Sequence, residues 1–352
     1  MKKFTTGLAL VLVIFSLAFK TVSSRTKSAA EEHGFEVKRD IEWAKPKGFS
    51  LKMDIYTPKT GKSSYPVLVI YHGGGWLVSP KEIMDDMAAY IASHSEYVVC
   101  NVQYRLLGDN NNTTNLNEIV EDVFGALVWV KEHIKSYKGN PNKVAVTGDS
   151  AGGHLAEMVV ISGDKLETDG FEGPTLGFKP TYLPKGVTAE AIKKKKGLEV
   201  QAAIISYGVF DLYNRALTGG FETASNRLWA ISKNEPRGVF GNTINAKDNP
   251  EFYRAISPLF NIPKAAERKL PPQLFTVGTK DRLIESVPVY VKALQAAGQP
   301  VEYWEHEGRP HGYLDRDENK NAGTSFVKDG APAVDKMIQF LNKTIGSKKL
   351  IY

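Results

Sequence analysis

Apolar residues along this chain fall into short unbroken runs separated by longer amphipathic stretches. PVLVIY (66–71), YVVCNVQY (97–104), KVAVT (143–147), VQAAIISY (200–207) and LFTVG (274–278) are the clearest runs. Continuous apolar runs of this length predict strands covered on both sheet faces. Between them, Ile119, Val123, Leu127, Val130 and Ile134 recur at helical spacing within 117–135. Further helices are predicted over 83–92, from His154, over 286–297 and over 331–344, with a strand at Val301–Trp304. The segments FEVKRDIEW and FSLKMDIYTP, within 35–58, alternate apolar and polar positions and predict a half-buried strand pair. Strands alternating with helices imply an α/β class: a mostly parallel central sheet with helices on both faces.

Two stretches interrupt the alternation, 163–199 and 213–260, both rich in Gly, Pro, Asn and aromatics. They are read as an inserted cap within one catalytic domain spanning 31–352. Their aromatics (Phe171, Phe178, Tyr182, Tyr213, Phe221, Trp229, Phe240, Phe252 and Tyr253) either stack on a substrate ring or form the cap's own core, the second being the commoner use. At the other end, Lys2 and Lys3 precede an apolar run from Phe4 to Phe19, followed by small residues. This is the layout of a signal peptide over 1–24, with cleavage as late as 30, and it predicts a secreted or periplasmic protein with no stable membrane anchor.

The export segment changes the charge argument. The formal charge of +6 suggests a nucleic-acid partner, but removal of Lys2, Lys3 and Lys20 leaves +3. The KKKK run at 193–196 has no interleaved aromatics and reads as a solvated face, so no nucleic-acid partner is expected. The single cysteine, Cys100, excludes an internal disulfide and falls inside an apolar strand. No His, Asp or Glu cluster has ligand spacing, so neither metal nor cofactor is expected.

The chemistry gathers at strand ends. Gly148-Asp149-Ser150-Ala151-Gly152 follows KVAVT and precedes a helical stretch. A serine at such a strand-to-helix turn projects its hydroxyl above the sheet. It needs a base, itself oriented by an acid. Of seven histidines, His311 in GRPHGYL, just past the last strand, is the favoured base, with His306 competing. Asp281 in VGTKDRLI is the favoured acid, with Asp211 and Glu285 as other positions. His72-Gly73-Gly74-Gly75-Trp76 follows the first long buried strand, as an oxyanion loop does. Donors there would be backbone N–H groups of these glycines, with that of Ala151 after the nucleophile. Trp76 and Tyr104 are candidate substrate contacts.

These residues resemble the α/β-hydrolase superfamily, in particular its hormone-sensitive-lipase-like esterases and its carbohydrate esterases of feruloyl and acetyl-xylan type. HGGGW, Tyr104-Arg105-Leu106, GDSAGGHLA, GTKD and PHGY carry the likeness, which covers roughly 35–345. It implies an α/β-hydrolase fold, a triad of Ser150, Asp281 and His311, and an oxyanion hole of Gly74, Gly75 and Ala151. It also implies a serine esterase that works through an acyl-enzyme and removes acetyl or feruloyl groups from plant polysaccharide or oligosaccharide. A general short-chain carboxylesterase or lipase-like enzyme, or an amidase or peptidase, are the other readings. The expected partner is an ester substrate.

Overall fold

The computed structural model describes residues 32–219, 226–320 and 322–346. The proposed signal segment and Phe221 lie outside them. Eight strands form one sheet: β1 (Phe35–Ala44), β2 (Leu51–Pro58), β3 (Tyr65–Tyr71), β4 (Val98–Val102), β5 (Gly139–Asp149), β6 (Ala202–Ser206), β7 (Gln273–Gly278) and β8 (Val301–His306). Their order is β1-β2-β4-β3-β5-β6-β7-β8. The β1–β2 and β2–β4 pairs are antiparallel, and every pair from β4–β3 to β7–β8 is parallel.

Every residue of β3, β4, β6 and β7 is buried, which is why these strands read as unbroken apolar runs. Cys100 is among them, and burial pushes its thiol pKa up. The antiparallel β1 keeps an alternating, half-exposed pattern. Helices Asp85–His94, Leu116–His133, Ala151–Ser162, Val287–Ala296 and Ala331–Thr344 accompany the sheet. Among the described residues no helix is long and apolar enough to cross a membrane.

Three boundaries differ from the sequence pattern. Strand β5 begins at Gly139, because its polar first half pairs with the start of β3 although only the second half is buried. Strand β8 runs on to His306. The helix after β5 starts at Ala151, three residues before His154. Gly152 and Gly153 have low helix propensity, so a local reading leaves them out. Packing keeps them in: a Cβ on Gly152 would stand 1.9 Å from the Tyr71 carbonyl oxygen of β3.

The two insertions take different places. Residues 179–182 of the first lie along helix Leu116–His133, where Thr181 N–H donates to the Glu121 carbonyl at 3.0 Å. Phe171 is buried between Phe178, Phe240 and Phe252, with ring centroids 5.4–5.6 Å apart. These aromatics therefore form a core of the insertions themselves. Lys193–Lys196 is exposed, a solvated face.

Candidate active site

Parallel strands deliver their following loops to one edge of the sheet, and four loops meet there. Ser150 follows β5 in a conformation few side chains adopt, φ 51° and ψ −115°. Its N–H donates to the Ser206 carbonyl of β6 at 2.9 Å, and its carbonyl accepts from His154 N–H at 3.1 Å. A Cβ on Gly148 would come within 2.2 Å of the Gly152 carbonyl oxygen. Glycine at both positions lets the turn close, and the strain lifts the serine hydroxyl clear of the sheet.

The loop after β8 brings His311 over this hydroxyl. Ser150 Oγ donates to His311 Nε2 at 2.9 Å, and His311 Nδ1 donates to Asp281 Oδ2 at 2.7 Å. Asp281 is buried at the end of β7, and its Oδ1 accepts the Leu283 N–H at 2.9 Å. One carboxylate oxygen is thus held by the backbone while the other orients the imidazole. His306 is elsewhere: its Nε2 donates to the Asp329 carbonyl at 2.8 Å. Asp211 caps the short helix Leu212–Leu217, and Glu285 lies in the turn after Asp281.

Gly74 (φ 109°) and Gly75 (φ 61°) are left-handed, and a Cβ on Gly74 would lie 2.0 Å from the Val78 carbonyl oxygen. Their N–H groups have no backbone acceptor among the described residues. Gly74, Gly75 and Ala151 line one cavity of about 540 Å³ with Ser150, Asp149, His311 and Asp315. A larger groove of about 2010 Å³, beside Phe171 and Phe252, includes none of the triad.

A family model described as BD-FAE matches residues 53–289, most of the chain and both Gly motifs. The chain belongs to the BD-FAE family. Carboxylesterase NlhH of Mycobacterium tuberculosis is 25% identical over 260 residues, 74% of this chain and 70% of NlhH. Versiconal hemiacetal acetate esterase of Dothistroma septosporum is 27% identical over 263 residues, again covering 74% and 70%. In structure, this BD-FAE chain is similar to Thermogutta terrifontis esterase 2, with TM-score 0.60, 22% identity and coverage of 88% and 94%. The mostly parallel eight-stranded sheet with its helices is the α/β-hydrolase fold.

Several features of this BD-FAE site were not legible in the motifs. Tyr104 does not line the cavity: its hydroxyl donates to the His72 carbonyl at 2.5 Å and its ring stacks on His72 at 4.3 Å. It supports the glycine loop from beneath, a correction to its reading as a substrate contact. Trp76 does line the cavity, yet it is nearly fully buried and its Nε1 donates to His154 Nδ1 at 3.1 Å. Arg105 is likewise internal, with Nε and Nη2 each 2.8 Å from the Asp122 carboxylate.

Two carboxyls line the cavity beside the nucleophile. Burial, and then the Asp315 charge, push the Asp149 carboxyl well above its usual range, against hydrogen bonds from Gly73 N–H and the Tyr207 hydroxyl. A Cβ on Gly73 would stand 2.4 Å from Asp149 Oδ2, so the first loop glycine makes room for that carboxyl. Asp315 is pushed up to about 6 by burial, with the Asn319 hydrogen bond and the His311 charge opposing. Nothing in the residue spacing marks Asp315; it reaches the site because the chain after His311 folds back. The first insertion contributes no lining residue here, whereas the second supplies Arg215, Gly219, Asn226, Arg227 and Leu228.

Proposed function

We propose that this protein is a secreted or periplasmic serine esterase that removes acetyl or feruloyl groups from acylated saccharides through an acyl-enzyme. At the coarser level the chain is a carboxylic ester hydrolase. The observation that carries the reading is the relay from Ser150 Oγ through His311 to buried Asp281, at 2.9 and 2.7 Å. In this reading His311 Nε2 takes the Ser150 proton as Oγ attacks the ester carbonyl. The oxyanion that forms meets the N–H groups of Gly74, Gly75 and Ala151. His311 then protonates the leaving alcohol, and it activates the water that releases the acid.

Support for an acylated saccharide comes from the N-terminal export layout and from the cavity, about 540 Å³ and partly roofed by the second insertion. A general short-chain carboxylesterase is the second reading, favoured by the similarity to NlhH. Wild type is expected to hydrolyse p-nitrophenyl acetate and Ser150→Ala to lose that activity. A panel of acetylated xylan fragments, feruloyl esters and octanoyl esters separates the two: comparable turnover of the octanoyl esters rejects the saccharide reading.

A further inference from the structure

Three arginines line the wall of the Ser150 cavity: Arg215 and Arg227 from the second insertion, and Arg282 next to the triad acid. Arg215 is half-buried, whereas Arg227 and Arg282 are exposed to solvent; the covered arginines elsewhere are paired. Arg105 is paired with Asp122 and Glu118, Arg237 donates to the Leu107 and Thr114 carbonyls, and Arg309 holds Asp329 at 2.9 Å. Among the described residues, Arg215, Arg227 and Arg282 have no carboxylate or carbonyl partner, and Arg215 Nε is buried without an acceptor.

Arg215 stands close enough to Arg282 for the two charges to oppose each other; burial, and then the Arg282 charge, lower the Arg215 pKa. Folding gains nothing from a half-buried guanidinium whose Nε lacks an acceptor and which stands near a second positive charge. Of the carboxyls on the same cavity, Asp149 has its pKa raised by burial, and Asp315 is already occupied with Asn319 beside His311. Among the described residues, three guanidiniums thus share this cavity with two carboxyls, Asp149 and Asp315, both with pKa raised by burial.

We infer that this cluster is a subsite for a carboxylate carried on the alcohol half of the ester. The inference rests on the esterase reading above and narrows its substrate class to anionic esters; among saccharides these are acylated uronic acids. The guanidinium fork matches a carboxylate in two parallel hydrogen bonds. The alcohol half is assigned because Arg282 directly follows Asp281 in sequence, and Asp281 orients His311, the group that hands the leaving oxygen its proton.

The test compares 4-acetoxybenzoate with its methyl ester, which share acyl group and reacting oxygen but differ in charge. p-Nitrophenyl monosuccinate and its methyl ester make the matching pair on the acyl side. In wild type the anionic acetate is expected to have a kcat/KM about tenfold or more above its neutral partner at low ionic strength. That ratio falls as salt screens the charges. It drops several-fold in Arg215→Gln and Arg282→Gln and is partly kept in Arg215→Lys. Because the readout is a ratio within each variant, a general loss of activity does not imitate the effect. A wild-type ratio at or below one overturns the subsite, as does a ratio unchanged in both glutamine variants. A preference confined to the succinate pair overturns its assignment to the alcohol half. If no ester at all is turned over, the esterase reading fails. Calorimetric binding of 4-hydroxybenzoate then decides the subsite alone: weaker binding in Arg215→Gln supports it, and equal binding rejects it.

Discussion

Trp76 Nε1 donates to His154 Nδ1 at 3.1 Å, joining the glycine loop after β3 to the helix that carries Ser150. An imidazole that accepts at Nδ1 carries its proton on Nε2, and that nitrogen donates to the Ile256 carbonyl at 2.8 Å. His154 thus bridges the glycine loop, the serine helix and the second insertion in one neutral tautomer. Burial lowers its pKa to about 4, which keeps it neutral over the working range. His154→Leu removes the ring that accepts from the Trp76 N–H and donates to the Ile256 carbonyl. Losing a buried hydrogen-bond partner costs about 1–3 kcal/mol. Urea unfolding is expected to show a loss of that order, with a fall in kcat because the glycine loop loses its brace. An unchanged unfolding midpoint contradicts the bridge.

Gly74→Ala tests the oxyanion loop. The new Cβ meets the Val78 carbonyl oxygen at 2.0 Å in a backbone of φ 109°, so the loop must move. Loss of an aligned donor is expected to lower kcat by about 10²–10³. KM for a small acetate changes far less, and steady-state kinetics on p-nitrophenyl acetate separates the two.

Asp281→Asn should preserve the fold, since the asparagine oxygen still accepts the Leu283 N–H. Its amide group then faces His311 Nδ1 with a donor, and the histidine turns to the tautomer that cannot accept from Ser150. A fall in kcat on the order of 10⁴ is expected. Circular dichroism should match wild type; retained turnover argues against Asp281 as the triad acid.

Arg105→Met removes the partner of a fully buried carboxylate. Asp122 accepts from the Arg105 backbone N–H, Nε and Nη2 and from Thr181 Oγ1. Deleting one member of a buried ion pair costs about 3–5 kcal/mol. Chemical denaturation is expected to register this, while the triad distances stay as they are. A double change to Arg105→Met with Asp122→Leu should recover part of the loss.

Asp315 makes stability depend on pH with a definite sign. Its pKa rises from 3.8 in the unfolded chain to about 6 in the folded one, so the folded state binds more protons between these values. Stability contributed by the protonated form is full below about pH 4 and is lost as pH rises through about 6. Asp315→Asn removes this term. The variant's stability at pH 7 relative to pH 4 should therefore exceed that of wild type in parallel urea titrations; an equal difference means that Asp315 is not the group.

Much of the architecture was legible because burial on both sheet faces writes itself into consecutive apolar residues. β3, β4, β6 and β7 were visible for that reason, and the polar start of β5 was not, because only half of that strand is covered. The serine, histidine and acid were legible because each follows a strand, and parallel strands send their loops to one edge. Ser150, His311 and Asp281 are accordingly brought together by the fold.

The chain pattern by itself determined the α/β class, the strand ends that bear the chemistry and the glycines that leave room for it. Only the tertiary structure decided what Tyr104, Trp76 and Arg105 do, because their neighbours lie tens of residues away in sequence: His72, His154 and Asp122. It also decided that the second insertion, and not the first, borders Ser150, and it placed Arg215 beside Arg282 and Asp315 beside Asp149. Periodicity reports whether a residue is covered. Which residue covers it depends on how distant segments pack, and the charges of this cavity were set at that step.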